Sequence, residues 1–255
     1  MAMDLPRMYT EFAHYWPVIS DPADYAHEAT YWRDALRSRL GPGRQPILEL
    51  GVGGGNNLSH LTDDFEATAV DLSPAMLEAA RRINPGVELH VGDMRSVRLG
   101  RTFAAVLIHD AIAYLCSEED LRAAFATAAA HLEPGGVFIT SPDWLTETFE
   151  EPSVDTGTNS RDGVTFTTIE YTWDPDPTDT AIESRVWYVI REGGGLRVEE
   201  DRHVTGLFPR ATWLRLMDEA GFDAEVIDYP GYSDGRPGWL FVGTKRRSHD
   251  PGAGP

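Results

Sequence analysis

A chain of 255 residues with 42% hydrophobic content has material for one sizeable core, and one domain with an insertion is the natural expectation. Its 41 acidic against 22 basic residues give a formal charge of −19, which repels phosphate backbones and makes nucleic acid a poor partner. The lone Cys116 excludes an intramolecular disulfide framework and a cysteine-only metal site. No apolar run approaches the roughly 20 residues of a membrane helix, and the opening MAMDLPRMYTEF lacks a basic-then-apolar signal, so no membrane contact and a cytoplasmic location are expected.

In chain order, Tyr25, Glu28, Ala29, Trp32, Ala35, Leu36 and Leu40 recur at helical spacing, and residues 41–46 end that helix. A short apolar strand at 47–50 runs into a glycine-rich turn and a helix through Leu58 and Leu61. A second strand at 68–72 is followed by Ser73-Pro74, an N-cap and a first-turn proline. Strands at 87–91 and 105–109 follow. Ser117 caps a helix through Leu132 whose first turn carries Glu118, Glu119 and Asp120, and Gly135-Gly136 turns into a strand at 137–140.

The alternation of strand and helix implies parallel pairing with right-handed crossovers. After Trp144 the rhythm changes. Strands at 164–173, 181–190 and 196–207, joined by DPDPTD and GGG turns, predict an antiparallel meander inserted over the ligand edge of the sheet, with Trp173 and Trp187 as core residues. A helix at 210–220, stopped by Gly221, and strands at 224–229 and 239–244 close the sheet. The expected architecture is α/β: a Rossmann-like, seven-stranded, mostly parallel sheet with an N-terminal helical lid and the meander as insertion. Its parts are the lid at 1–45, a cofactor-binding core at 46–145, the antiparallel insertion at 146–208, the C-terminal part of the core at 209–247, and a disordered tail at 248–255.

The strongest chemical signal is ILELGVGGGNNL at 47–58, a strand entering Gly51-Val52-Gly53-Gly54-Gly55 and then a helix. Glycines there let a ligand approach the backbone closely, in the crevice beyond the carboxyl ends of parallel strands. A dinucleotide site wants G-x-G-x-x-G, but counting from Gly51 the last position is Asn56. Glu49 adds negative charge beside the turn, which favours an ammonium or sulfonium group and disfavours phosphate. Asp71 ends the second strand about twenty residues later, where an acid receives ribose hydroxyls. Gly92-Asp93-Met94 ends the third strand, with Asp93 placed to accept from an adenine amino group and Met94 to lie against the ring. Each Asp alone is more often a turn former or cap; in order at successive strand ends they describe one nucleoside site.

These residues resemble a class I S-adenosylmethionine methyltransferase. ELGVGGG matches that family's first motif, AVDLS the second, GDM the third and FAAVLIHDAIAYL the fourth, with HLEPGGVFIT leading into the fifth strand. Val52 stands where a cysteine is common and Ala104 where an aspartate often precedes the fourth strand. A narrower pattern is similar to the N,N-dimethyltransferases that finish amino-sugars such as desosamine and mycaminose in macrolide biosynthesis. It is carried by YTEFAHYW, DYAHEA, GDMR, SPDW, LFPRATW and PGYSDGRPGWLFVG. The resemblance implies S-adenosyl-L-methionine as cofactor, held by Tyr15, Glu49, Gly51, Gly53, Gly55, Asn56, Asp71, Leu72, Met76, Asp93, Met94 and His109. It also implies a small natural-product acceptor and leaves room for a homodimer.

An amine acceptor must present a neutral lone pair or lose a proton. His109, at the end of the fourth strand, is the first candidate for that base, and Asp110 can hold a cationic amine. Tyr9, Trp144, His203, Tyr229 and Tyr232 are candidate acceptor contacts, with Tyr9 and Tyr15 in a lid over the cofactor. No clustered carboxylates argue for a metal, so a metal-free site is expected. The rival readings are an O-methyltransferase for a sugar or phenol hydroxyl, a nicotinamide oxidoreductase, which the broken glycine motif and Glu49 oppose, and a non-catalytic binder.

Overall fold

The computed structural model describes residues 5–230 and 238–247. Its strands in chain order are β1 (Pro46–Leu50), β2 (Glu66–Asp71), β3 (Glu88–Val91), β4 (Phe103–Ile108), β5 (Leu132–Thr140), β6 (Ser153–Arg161), β7 (Val164–Trp173), β8 (Ala181–Glu192), β9 (Gly195–Gly206), β10 (Phe222–Tyr229) and β11 (Gly238–Lys245). The longer helices are α1 (Ala26–Leu40), α2 (Pro74–Ile83), α3 (Glu118–Ala130) and α4 (Arg210–Glu219). A seven-stranded sheet runs β10-β11-β5-β4-β1-β2-β3, and a separate four-stranded sheet runs β6-β7-β8-β9. β1 through β5 pair in parallel, whereas β11 lies antiparallel to both β5 and β10.

The central strands are apolar on both faces, as a sheet covered by helices on both sides requires. Ile47, Ala105, Leu107 and Ile139 pack with Trp32, Ala35 and Leu36 of α1. Their neighbours Leu48, Val106, Ile108 and Phe138 pack with Leu121 and Phe125 of α3 and Trp213 and Leu216 of α4. Helix ends follow the local signals. Gly41 leaves α1 at φ 72°, the Ser73 hydroxyl accepts from the Met76 amide, and Ser117 accepts from the Asp120 amide. The helix expected after the glycine turn is a single turn, Asn56–Ser59.

The meander has four strands, not three. β6, with the sequence SVDTGTNSR, is exposed along nearly its whole length and has no apolar alternation to read. It is a strand because it pairs with β7 through a two-residue turn in which Asp162 (φ 51°) and Gly163 (φ 84°) are both left-handed. Gly193 and Gly194, at φ 58° and 82°, make the same kind of turn between β8 and β9. On the inner face Phe166, Val186, Tyr188 and Ile190 pack against Met8, Phe12 and Tyr15 of the N-terminal segment. The period of two places Trp187 on the opposite face, together with Trp173, so both are only half-buried rather than core. The N-terminal segment is a run of short turns, Arg7–Tyr9, Ala13–Tyr15, Trp16–Ile19 and Pro22–Tyr25, leading into α1. Within the described residues no helix is long and apolar enough to cross a membrane.

Candidate active site

A cavity opens at the carboxyl ends of β1, β2, β3 and β4, with an empty volume of about 960 Å³, its open mouth included. Its floor is the glycine loop. The amides of Gly51 and Val52 donate to Val70 O, which turns the chain sharply off β1. Gly51, Gly53 and Gly55 have φ of 73°, 54° and 77°, values that L side chains rarely adopt. At Gly54 the reason for glycine is contact: a Cβ there would lie 2.0 Å from Nε1 of Trp16, which covers the loop.

Asp71 ties the loop to the end of β2. Its Oδ2 accepts from the Gly53 amide at 2.7 Å and its Oδ1 from the Ser73 amide at 2.8 Å. Burial pushes the Asp71 pKa up, against the backbone donors of Ser73, Gly53 and Leu72. Asp93, at the end of β3, also lines the cavity. It is chelated by the Arg95 guanidinium, with Nη2 2.7 Å from Oδ2. Burial raises its pKa, but the hydrogen bonds and charge of Arg95 outweigh that and hold it below the ordinary carboxylate range. Glu49 is buried, its Oε2 has no partner, and burial pushes its pKa up to about 8.

His109 sits at the inner wall, 6% exposed. Its Nε2 lies 3.0 Å from Glu28 Oε1 and its Nδ1 3.1 Å from Asp110 Oδ1, close charge contacts rather than well-aligned hydrogen bonds. Burial opposes a charged imidazole, yet the Asp110 and Glu28 charges outweigh it and raise the pKa well above the ordinary value. Glu28 is fixed in turn by the Tyr229 hydroxyl at 2.9 Å and, at 3.4 Å, by Trp32 Nε1. Glu28, His109 and Asp110 are near enough to one another to be considered as metal ligands. Two carboxylates beside one ring also suit an imidazolium.

The family model for a methyltransferase domain matches residues 47–136, the span that builds this floor. The dTDP-3-amino-3,4,6-trideoxy-alpha-D-glucopyranose N,N-dimethyltransferase of Streptomyces venezuelae is 38% identical over 224 residues, 87% of this chain and 91% of that one. The chain belongs to the amino-sugar N,N-dimethyltransferase family. Among solved structures, the sugar N-methyltransferase KedS8 from Streptoalloteichus sp. ATCC 53650 superposes with a TM-score of 0.80 at 29% identity, over 97% of this chain and 96% of that one. CalS10 of Micromonospora echinaspora, an amino pentose methyltransferase of calicheamicin biosynthesis solved with S-adenosylmethionine bound, gives 0.76 at 28%, over 96% and 100%. This family member is thus an S-adenosylmethionine-dependent methyltransferase.

The cavity wall suits that cofactor. Glu49 Oε2, both side-chain polar atoms of Asn57 and Trp16 Nε1 are buried without partners and belong to residues lining it. Each buried unsatisfied group costs about 1–3 kcal/mol, so the wall is complete only with a polar ligand. Among the described residues the lining holds Glu49, Asp71, Asp93 and Asp110 and no lysine or arginine, a donor set for a cation rather than a pyrophosphate.

Of the residues expected from sequence to touch the cofactor, Glu49, Gly51, Gly53, Gly55, Asn56, Asp71, Leu72, Met76, Asp93, Met94 and His109 all line this cavity. Tyr15 does not. Its ring packs on Phe166 and its hydroxyl donates to Glu192 and accepts from Arg197, because the short turns direct it to the meander. The Asn56 amide is also engaged, donating to the Ser20 hydroxyl at 2.7 Å.

His109, the expected base, lines the cavity with Asp110, and the charges of Asp110 and Glu28 beside its ring favour its protonated form. Of the expected acceptor contacts, Tyr9 lines the cavity. Tyr229 supports Glu28, and Trp144 packs edge-on against Phe149; neither is among the described lining residues. His203 stands one residue removed, against Tyr114. Tyr232 lies outside the described residues. Sequence reasoning missed Trp16, Tyr25, Asn57 and Tyr114 as lining residues, and Glu28 as the partner of His109. The one signal for Glu28 was a carboxylate within the apolar stripe of α1.

Proposed function

We propose that this enzyme methylates the exocyclic amine of a nucleotide-linked amino-deoxysugar, adding two methyl groups in succession. The observation that carries the reading is the cavity wall: carboxylates and phenols around a covered glycine loop, with no lysine or arginine among its described lining residues. The near full-length likeness to an enzyme named for dTDP-amino-sugar N,N-dimethylation supports the same acceptor class.

S-adenosylmethionine, when bound, supplies an electrophilic methyl group on a sulfonium. The glycine loop, Glu49, Asp71 and Asp93 with Met94 are the residues that would hold it. The chain contributes position, desolvation and charge, the terms that dominate when little covalent work falls to the protein. Trp16, Tyr9 and Tyr25 roof the cavity and exclude water. Glu28, His109 and Asp110 together carry one net negative charge, which favours a cationic cofactor and an arriving ammonium. Their ion pairs spend His109 as a fixed charge, so it orients Asp110 rather than taking a proton.

Purified enzyme with methyl-labelled cofactor and a panel of nucleotide-linked 3-amino- and 4-amino-deoxysugars, plus their hydroxyl analogues, tests this. Mass spectrometry is expected to show one and then two methyl additions on an amino-sugar and none on the hydroxyl analogue. Methylation of the hydroxyl compound alone, or of no sugar, would overturn the reading.

A further inference from the structure

From Tyr9 and Tyr114 in the cavity wall runs a line of hydrogen-bonding side chains from three separate parts of the chain. The Tyr9 and Tyr114 hydroxyls are 2.8 Å apart, and both residues line the cavity. The Tyr114 hydroxyl is 2.8 Å from Nδ1 of His203 on β9. Nε2 of His203 is 3.3 Å from Oδ2 of Asp201, and the His203 side chain is 13% exposed, so the line ends within reach of water.

The direction of this line is set at its far end. Asp201 also accepts from the amides of Arg7 and Met8, at 3.1 and 2.8 Å, and from the Tyr188 hydroxyl at 3.3 Å. The Arg202 amide adds a fourth donor at 2.9 Å, and a carboxylate so surrounded stays ionised. Burial raises its pKa, but the hydrogen bonds from His203, Met8 and Arg7 lower it to about 2. Nε2 has the Asp201 carboxylate at 3.3 Å and the Tyr188 hydroxyl at 3.4 Å, and donation from Nε2 to Asp201 leaves Nδ1 of a neutral ring as an acceptor. Tyr114 therefore donates to His203 and accepts from Tyr9, and the lone pairs of the Tyr9 hydroxyl remain for a donor in the cavity. Phenols alone hold their protons here, because burial raises the pKa of both Tyr9 and Tyr114. A concerted shift along the line needs neither to ionise.

We propose that Tyr9, Tyr114 and His203, oriented by Asp201, form the exit route for the acceptor's proton. The inference rests on the amine acceptor proposed above. Methyl transfer to a neutral amine leaves an N-methylammonium, and the second transfer needs that nitrogen's lone pair back. The ammonium N–H gives its proton to the Tyr9 oxygen as the Tyr9 hydroxyl proton moves to Tyr114. The Tyr114 proton moves to His203 Nδ1, and the imidazolium, paired with Asp201, releases a proton to water. No other reactant is required. The titratable groups around the line are Asp201 and His203 on β9, Tyr188 on β8, Glu170 on β7, Asp110 and Tyr114 after β4, Asp143 after β5, and Tyr9 and Tyr25 of the N-terminal segment.

The test compares Tyr114→Phe, His203→Gln and His203→Ala with the parent enzyme on an amino-sugar it dimethylates. Expected are a kcat about tenfold to hundredfold lower, accumulation of monomethyl product, recovery as pH rises and bulk solvent deprotonates the intermediate, and rescue of His203→Ala by added imidazole. The calorimetric affinity for S-adenosylhomocysteine and the Tm of Tyr114→Phe and His203→Gln stay at parent values. A parent enzyme that dimethylates while both conservative variants keep its kcat, product ratio and pH profile would overturn the relay alone. Parallel losses of Tm and S-adenosylhomocysteine affinity without imidazole rescue would make these residues props of the lid and overturn it too. A parent enzyme inactive on every amine would overturn the acceptor reading and the relay with it.

Discussion

Replacing Glu28 by Gln isolates the charge that holds His109. The amide oxygen can still accept from Tyr229 and Trp32, so packing and two of the three contacts survive. What is lost is the negative charge 3.0 Å from His109 Nε2 in a pair whose side chains are only 7% and 8% exposed. Breaking a buried pair from one side costs about 3–5 kcal/mol, and a single charged hydrogen bond about 1.5–3. Asp110 remains at 3.1 Å with its side chain 43% exposed, and keeps part of the attraction. The expected destabilisation is therefore about 2–3 kcal/mol in urea unfolding.

The pH dependence of that difference follows from the two shifts. The pKa of His109 is raised above its ordinary 6.5, so its contribution is full below 6.5 and is lost as pH rises through the higher folded value. Glu28 has a lowered pKa despite its burial, chiefly through the His109 charge. Its contribution is full above the ordinary 4.5 and is lost as pH falls through the lower folded value. The gap between parent and variant should be widest between pH 4.5 and 6.5 and narrow on either side. A nitrogen-detected NMR titration should show the parent His109 ring protonated well above neutrality and the variant ring titrating lower. A urea cost under about 1 kcal/mol, the worth of an exposed pair, or a parent His109 titrating near 6.5, would refute the reasoning.

Asp71→Ala removes the acceptor of the Gly53 and Ser73 amides and should weaken S-adenosylhomocysteine binding about hundredfold or more by calorimetry; unchanged affinity would remove Asp71 from the cofactor site. Glu49, with its pKa pushed up to about 8 by burial, should carry a proton in the free enzyme at pH 7 and release it when the ligand's ammonium arrives. Calorimetry in buffers of differing ionisation enthalpy should show that release in the parent and not in Glu49→Gln. Because the raised acid favours folding fully only below its ordinary 4.5, ligand-free stability should fall as pH rises towards about 8, and this fall should flatten in the variant. Gly54→Ala places a methyl 2.0 Å from Trp16 Nε1 and must displace that ring. A loss of about 1–3 kcal/mol is expected, divided between Tm and S-adenosylhomocysteine affinity, and a variant matching the parent in both would show that Trp16 does not cover the loop.

Much of the cavity floor was legible in sequence because it is local. In a parallel sheet each strand delivers its last residue to the same edge, so Glu49, Asp71 and Asp93 could be placed by finding where apolar runs stop. The glycine spacing then separated a cationic nucleoside from a pyrophosphate. What joins distant segments was not legible. Glu28 read as one position of a helical stripe, and only the packing of α1 on the sheet brings it within 3.0 Å of His109. Tyr15 and Tyr9 look alike in sequence, yet the turns between them aim one at the meander and the other at the cavity. β6 has no apolar pattern and exists through its ladder with β7, and the line from Tyr9 to Asp201 requires three separate segments to meet. Periodicity and strand ends are properties of neighbours in the chain. Charge pairing and hydrogen-bond direction belong to neighbours in space, and burial is what gives them their energy.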